Sequence, residues 1–194
     1  MCSSSTYSVY REILLQLARD SILYHLEQGR PLPVDCKAYP EHLRVHRASF
    51  VTLHLQRQLR GCIGTLEAYQ PLVVDVANNA QAAAFSDPRF PPLSSAEYPY
   101  LDIHISILSP PEPMCFSSEH DLLAQLRPNV DGLILKAGRH RGTFLPSVWE
   151  SLPNPHDFLL HLKYKAGLPA DYWTDEVEVL RYTAESIGDH HEET

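Results

Sequence analysis

Alternation of apolar and polar residues marks the strands of this chain. The segment 101–107 reads Leu-Asp-Ile-His-Ile-Ser-Ile, with an aliphatic residue at every second position, and the segment 49–55 is rich in β-branched and aromatic residues. Because side chains on a strand point to its two faces in turn, both segments are expected to bury one face and leave the other polar. Further strands are predicted from a turn at 56–58 to the cysteine at 62, over 132–137 with a return at 143–145, and over 177–184.

Apolar residues that recur every three or four positions predict the helices. One helix covers 8–28, with Ser8 placed to cap its start and Gly29 placed to end it. A second helix starts at Pro71, carries a stripe of alanines and ends before Asp87. Shorter helices are predicted after the capping-box residues 94–97, over 118–126 and over 155–166. Helices and strands interspersed in this way predict an α+β fold, with helices flanking a mostly antiparallel sheet.

Composition narrows the class of protein. A chain of 194 residues is long enough for one domain with a full core, or for two small subdomains. Its formal net charge of −8 argues against a broad nucleic-acid or anionic-membrane surface, but it is compatible with a local basic pocket. The first ten residues lack the pattern of a signal peptide, and no apolar run reaches the roughly 18 residues of a membrane span. The four cysteines form no CxxC pair, so we predict a cytoplasmic protein with reduced thiols.

The segment 59–64, Leu-Arg-Gly-Cys-Ile-Gly, carries the clearest sign of chemistry. It places the thiol of Cys62 between two glycines, which in a strand mark a bulge or a close approach of the backbone to another group. In a regular strand Arg60 shares the face of Cys62, and a cation beside a thiol favours the reactive thiolate. Cys62 is therefore a candidate nucleophile or redox thiol. The alternative is a small buried residue that fits between the glycines.

Three further residues are candidate ligand contacts. The guanidinium group is a planar fork that suits a carboxylate or a phosphate, and Arg89 stands in a loop held by three prolines. Asp87 is its close neighbour in the sequence, and the alternative for Arg89 is an ion pair with Asp87 or Asp102. Arg141 lies in the segment Gly-Arg-His-Arg-Gly at 138–142, which looks like an anion-binding turn. A hairpin turn with exposed basic residues is the favoured interpretation of that segment.

Histidines and short motifs give weaker signals. His54 and His104 lie on predicted strands, opposite the aliphatic side chains, where each either approaches Cys62 or is only a polar surface residue. His42 and His46 have the spacing of a metal pair, but they lack the internal glutamate of a zinc-protease motif. The motifs GxSxG, GxGxxG and HExxH do not occur in the sequence, and neither a metal site nor a cofactor is predicted.

The cysteine motif at 59–64 is followed by Asp-Pro-Arg-Phe-Pro-Pro at 87–92 and by Ser-Ile-Leu-Ser-Pro-Pro-Glu at 106–112. Shorter motifs follow in order: Asp-Gly-Leu-Ile-Leu at 131–135, Gly-Thr-Phe-Leu-Pro at 142–146, Lys-Ala-Gly-Leu-Pro at 165–169 and Glu-Val at 178–179. Together these segments resemble the AMMECR domain family, which is named after an AMME-syndrome chromosomal region. Its prokaryotic members are called AmmeMemoRadiSam system protein A.

The resemblance implies a single domain over 8–187, with flexible tails at 1–7 and 188–194. It implies an α+β fold of two unequal subdomains with a cleft between them, and no established reaction. It also implies a Memo-type protein and a radical SAM protein as partners. The chain departs from the family where residues 162–164 replace a frequent cysteine and where Ser147 replaces a common glutamine. A role for a second thiol is therefore not implied.

Three functions remain open from the sequence. The first, which we take as the prediction, is a cleft that binds a small anionic molecule or a partner's peptide. The second is an enzyme in which Cys62 acts as the nucleophile, with its thiolate favoured by Arg60. The third is a scaffold within a multiprotein complex. The predicted lining of the cleft comprises Arg60, Cys62, Asp87, Arg89 and Arg141.

Overall fold

Two antiparallel sheets of four strands each, flanked by helices, make up the computed structural model, which describes residues 7–189. The α+β class predicted from the sequence is confirmed. The chain divides into two units: the first runs to Leu108 and resumes at Glu185, and the second extends from Ser109 to Ala184. The cleft that the family resemblance implies stays a prediction.

The elements are numbered in chain order. The helices are α1 (Arg11–Gln28), α2 (Glu41–Arg44), α3 (Leu72–Phe85), α4 (Glu119–Gln125) and α5 (Pro155–Lys165). The strands are β1 (Ser49–Leu55), β2 (Gln58–Gly64), β3 (Leu101–Leu108), β4 (Glu112–Pro113), β5 (Gly132–Ala137), β6 (His140–Phe144), β7 (Val177–Tyr182) and β8 (Ala184–Gly188). The first sheet has the order β2-β1-β3-β8, and the second has the order β4-β7-β5-β6.

The first sheet has one apolar and one polar face, as the alternation predicts. Strand β1 pairs antiparallel with β2 on one side and with β3 on the other. Val51, Leu53, Ile103 and Ile105 are fully buried in a core shared with α1 and α3. The side chains that alternate with them form the opposite face, called here the polar face: Thr52, His54, Cys62, Asp102 and His104.

Helix α3 lies very close to β2 because both elements present small residues where they meet. The alanines predicted as a buried stripe are buried, Ala80 and Ala83 among them. A Cβ atom added to Gly61 would lie 2.1 Å from the carbonyl oxygen of Ala83. The glycine is thus required by packing, and the contact fixes the position of the cysteine motif against the helix.

The second unit has its own core beneath the second sheet. The rings of Trp149 and Phe158 stack with centroids 3.8 Å apart, and the indole N–H donates a hydrogen bond to the carbonyl of Asp131. Helix α4 is capped by the Ser118 hydroxyl, which accepts from the N–H of Asp121. Helix α5 is capped by the Asn154 side chain, as predicted.

The structure differs from the sequence predictions at several element ends. Helix α1 begins only at Arg11, after a turn of 3-10 helix, and α2 lies between Gly29 and β1, where no element is predicted. The predicted strand 177–184 is two strands, because Thr183 interrupts it and the two parts join different sheets. Gly188 ends β8 within the predicted C-terminal tail. The predictions for residues 1–6 and 190–194 lie outside the described residues.

Candidate functional site

The register of β2 changes just before the cysteine. Leu53 pairs with Gly61, whereas His54 pairs with Leu59, so that Arg60 is an extra residue in β2. Such a bulge breaks the alternation of side chains. The simple alternation that would place Arg60 and Cys62 on one face therefore does not hold. Cys62 faces its cross-strand partner Thr52, while the guanidinium of Arg60 bonds to residues that follow α3.

Arg60 is 8% exposed and pairs with Glu97. Its Nε donates to Glu97 at 2.8 Å, and its Nη2 donates to the Pro91 carbonyl at 3.0 Å. The hydrogen bond from Arg60, helped by the backbone of Ser94, lowers the pKa of Glu97 to about 2. The Nη1 of Arg60 is buried and has no hydrogen-bond partner among the described residues. The helix predicted after Ser94 is instead a turn that leads into one 3-10 turn, Tyr98–Tyr100.

Asp87 and Arg89 cover the outer edge of β2 at the cysteine. Asp87 is 4% exposed and accepts from the backbone N–H of Cys62 at 2.9 Å. Arg89 donates to Asp87 through Nε at 3.0 Å and through Nη2 at 2.7 Å, and the same Nη2 reaches the Cys62 carbonyl at 3.4 Å. The two side chains thus satisfy both backbone groups of Cys62, as a neighbouring strand would.

Their mutual hydrogen bonds keep both Asp87 and Arg89 charged. The hydrogen bonds from Arg89, with a further one from the Cys62 N–H, hold the pKa of Asp87 well below its usual range although burial opposes them. Asp87 in turn raises the pKa of Arg89, and the nearby Cys62 side chain contributes in the same direction. The Arg89 side chain is 54% exposed, and its carbon ζ lies 5.6 Å from the centre of the Phe90 ring. The result is a charged, clamped guanidinium that is open to water.

Cys62 itself is a free, half-buried thiol. Its sulfur lies 3.3 Å from the hydroxyl oxygen of Thr52, and either atom is able to donate. The glycines on each side are explained by packing: Gly61 lies against Ala83, and Gly64 lies beneath the ring of Phe50. The sulfur is therefore neither enclosed by aliphatic side chains nor fully exposed.

The two histidines of the polar face stand together. The rings of His54 and His104 meet edge to face with centroids 5.3 Å apart, and the Nε2 of His104 lies 3.4 Å from Asp102. His104 is the cross-strand partner of Thr52, which in turn faces Cys62. Burial, and then the charge of His104, lower the pKa of His54, while Asp102 opposes them. Neutral imidazole is thus the favoured form of His54.

Asp75 is a second buried acidic residue, which the sequence analysis missed. It is 0% exposed, and its oxygens accept from the N–H and hydroxyl of Ser49 and from the side chains of Thr65, Gln70 and Asn79. Asn79 is itself buried in this network. Asp75 joins the start of β1, the end of β2 and helix α3. The only sequence signal is an acidic residue within the apolar stripe of a helix.

The remaining candidate, Arg141, belongs to the second unit. Arg141 is on β6 of the second unit, where Gly138 and Arg139 form a two-residue hairpin turn, so the favoured turn interpretation of 138–142 is correct apart from its length. Its assignment to the site of Cys62 stays a prediction.

Lys163, at a departure from the family pattern, is buried and bonds to Glu119. Within residues 7–189 no group of three or more His, Cys, Asp or Glu side chains is arranged to hold a metal ion.

Comparisons with known proteins cover most of the chain. Residues 15–187 match the sequence profile described as AMMECR1. A protein of Methanothermobacter thermautotrophicus is 39% identical over 180 residues, which cover 89% of this chain and 90% of that protein. A protein of Thermotoga maritima is 41% identical over 164 residues, which cover 83% and 88%. The crystal structure of an uncharacterized protein from Pyrococcus horikoshii matches with a TM-score of 0.83 and 32% identity, over 92% of this chain and 90% of that one.

Proposed function

Because the chain belongs to the AMMECR1 family, we propose that its cysteine and arginine motifs form one site, in which Arg89 binds a small anionic ligand beside Cys62. The observation that carries this proposal is the clamp on Arg89. Asp87 holds the Nε and Nη2 of the guanidinium, and the side chain remains 54% exposed. An arginine fixed in this way loses little conformational freedom when it binds a carboxylate or phosphate.

The ion pair with Asp87 does not exclude an anion. Asp87 is buried behind the guanidinium, and its oxygens already accept from Arg89 and from the backbone of Cys62. The Nη1 of Arg89 forms no hydrogen bond within residues 7–189. A ligand anion on the exposed side therefore meets N–H donors, and it displaces water rather than Asp87. Arg60 supports the site from behind through Phe90, which lies near both guanidinium groups.

Cys62 reports on this binding site through its own alkylation. Iodoacetate and iodoacetamide attack a thiol by the same reaction and differ in one group, a carboxylate in place of an amide. If Arg89 binds the carboxylate, the rate ratio of iodoacetate to iodoacetamide is higher at Cys62 than at the exposed Cys115. An exposed charged contact of about 1 kcal/mol corresponds to a factor of about five. We expect Arg89→Gln to remove most of that preference, with each cysteine measured by mass spectrometry.

The matched control is Arg57→Gln, which removes the same charge from the exposed turn between β1 and β2. It should leave the preference at Cys62 unchanged, and Arg89→Lys should retain part of it because the charge remains without the fork. Thermal unfolding of each variant checks the fold. Equal ratios at Cys62 and Cys115 in the wild-type protein would show that Arg89 binds no anion there.

A second candidate function is chemistry at the sulfur. The observation that favours it is the contact between the Cys62 sulfur and the Thr52 hydroxyl at 3.3 Å on a face that also carries two histidines. A cysteine that served only to fill space between glycines needs no such neighbours. In this alternative Cys62 is a nucleophile or redox thiol, and Arg89 holds its substrate.

We also propose a cytoplasmic protein with a Memo-type protein and a radical SAM protein as partners, on the family resemblance. In residues 7–189 the helices are all too short or too polar to cross a membrane. We expect a tagged form of the chain to retain one of these two partners from the cytosolic fraction of its own cells, identified by mass spectrometry. A tagged Arg57→Gln variant should do the same. Recovery of neither partner at native expression levels would contradict the assignment.

A further inference from the structure

The polar face of the first sheet places titratable side chains in a row beside the cysteine. From β2 to β3 the row runs Cys62, Thr52, His104, because each is the register partner of the next. His54 and Asp102 form the neighbouring row on β1 and β3. Of these five side chains the proposed anion site uses only the cysteine, so their grouping needs a separate account.

We propose that Cys62 and His54 are a nucleophile–base pair, with Thr52 holding the thiol and the Asp102–His104 pair holding the His54 ring. His54 is two residues from Thr52 on the strand adjacent to β2, so it lies diagonally from Cys62, with the bulge at Arg60 on β2 between their positions. Side chains in that relation lie within reach of each other on one face of a sheet. His104 is one strand farther from the sulfur and acts as a positioning residue.

The surroundings of His54 suit a base. On β3 it faces His104 at 5.3 Å and the carboxyl group of Asp102, and on β2 its register partner is the apolar Leu59. On the other side of Cys62 stand Arg89 and the buried Asp87. Because burial and the charge of His104 lower the pKa of His54, its imidazole is neutral and able to accept a proton at neutral pH.

The buried oxygen of Asp102 supports the same interpretation. Its Oδ1 is shielded from water and has no hydrogen-bond partner within residues 7–189, while Oδ2 faces His104. A negative charge with an unused acceptor beside two imidazoles stabilises the imidazolium that forms when a proton arrives. Asp102 thus offsets part of the cost of a proton that is transferred to His54, while burial and His104 keep the ring neutral until then.

The chemical step follows from these positions and rests on the proposed function for its substrate. The ligand held by Arg89 is an anionic molecule with an electrophilic carbon that carries a leaving group. The sulfur of Cys62 supplies the electron pair of a new sulfur–carbon bond, and the thiol proton passes to the imidazole of His54. The leaving group departs with the electron pair of the bond that breaks, so that no oxidant or reductant is required.

The test uses iodoacetamide, a neutral probe that leaves Arg89 out of the measurement. We expect the pH profile of the alkylation rate of wild-type Cys62 to show a shoulder below the usual imidazole pKa of about 6.5. The profile of Cys115 should have no such shoulder. His54→Ala should lose the shoulder and react about threefold to tenfold more slowly at pH 7, and added imidazole should restore part of the rate.

Two further variants separate a chemical role from a structural one. Thr52→Val keeps the shape of the side chain but removes the hydroxyl, and it should reduce the shoulder without changing thermal unfolding greatly. His156→Gln, an exposed histidine of the second unit, should behave as wild type. A Cys62 profile that overlays that of Cys115, or a His54→Ala protein with an unchanged profile, would overturn the pair. The preference for iodoacetate is measured independently, so either proposal is able to fail alone.

Discussion

The Gly61→Ala protein is expected to lose about 3 kcal/mol or more of unfolding free energy, which is at the upper end for an added methyl group in a packed interior. The new Cβ would lie 2.1 Å from the Ala83 carbonyl oxygen, which belongs to the backbone of α3. A backbone atom in the last turn of a packed helix cannot move aside as a side-chain end does. Either β2 or α3 must therefore shift, and the cysteine motif shifts with them.

Urea unfolding followed by circular dichroism measures this loss, and Gly138→Ala is the matched comparison. Gly138 has no atom within 4 Å of an added Cβ, but its φ of +57° disfavours alanine. Its replacement should cost about 1 kcal/mol, from the backbone conformation alone. Near-equal losses in the two variants would show that close packing at Gly61 is not what the glycine provides.

Replacement of Asp75 by alanine should cost a similar amount, about 3–4 kcal/mol. The change leaves the N–H and hydroxyl of Ser49 buried without this acceptor, and each such donor costs about 1–3 kcal/mol. The amide of Asn79 loses one acceptor but keeps its hydrogen bond to the Ser49 carbonyl. Asp75→Asn should be nearly as harmful. Every partner of Asp75 donates to it, so the new amide N–H group would face other donors.

Ser49→Ala is the control for Asp75, because it removes one hydroxyl donor and leaves the acceptor in place. Its expected cost is about 1 kcal/mol, the net value of a single hydrogen bond. Chemical unfolding of the four proteins under identical conditions gives the comparison. If Asp75→Asn were as stable as the wild-type protein, the network would not require both acceptor oxygens of a carboxylate.

Local pattern predicted much of the fold. Strands β1 and β3 follow from alternation, α4 follows from its apolar leucines, and α5 follows from the cap at Asn154. The division of the last strand did not follow, because a sheet assignment depends on partners far away in the chain. The predicted strand over 177–184 has a suitable composition throughout, and only the pairing of β7 with β5 shows where its first part ends.

For the candidate site, too, some features could be predicted from the sequence and others could not. The sequence pointed to Cys62, Asp87 and Arg89, and in the structure the side chains of Asp87 and Arg89 contact each other and the backbone of Cys62. The sequence did not reveal that Arg60 pairs with Glu97, because one extra residue in β2 alters which side chains share a face. The proximity of His54 to His104 also depends on register between strands, which alternation within each strand leaves open.

Strand β8 follows the entire second unit in the chain, yet it completes the first sheet beside β3. During synthesis on the ribosome, β1, β2 and β3 emerge first, and some 75 further residues are translated before β8 is made. Throughout that interval the outer edge of β3 lacks its partner and is open to wrong pairing. Chaperone binding to the nascent chain should therefore be strongest at β3. A fragment that ends at Leu108, and so lacks β8, should aggregate.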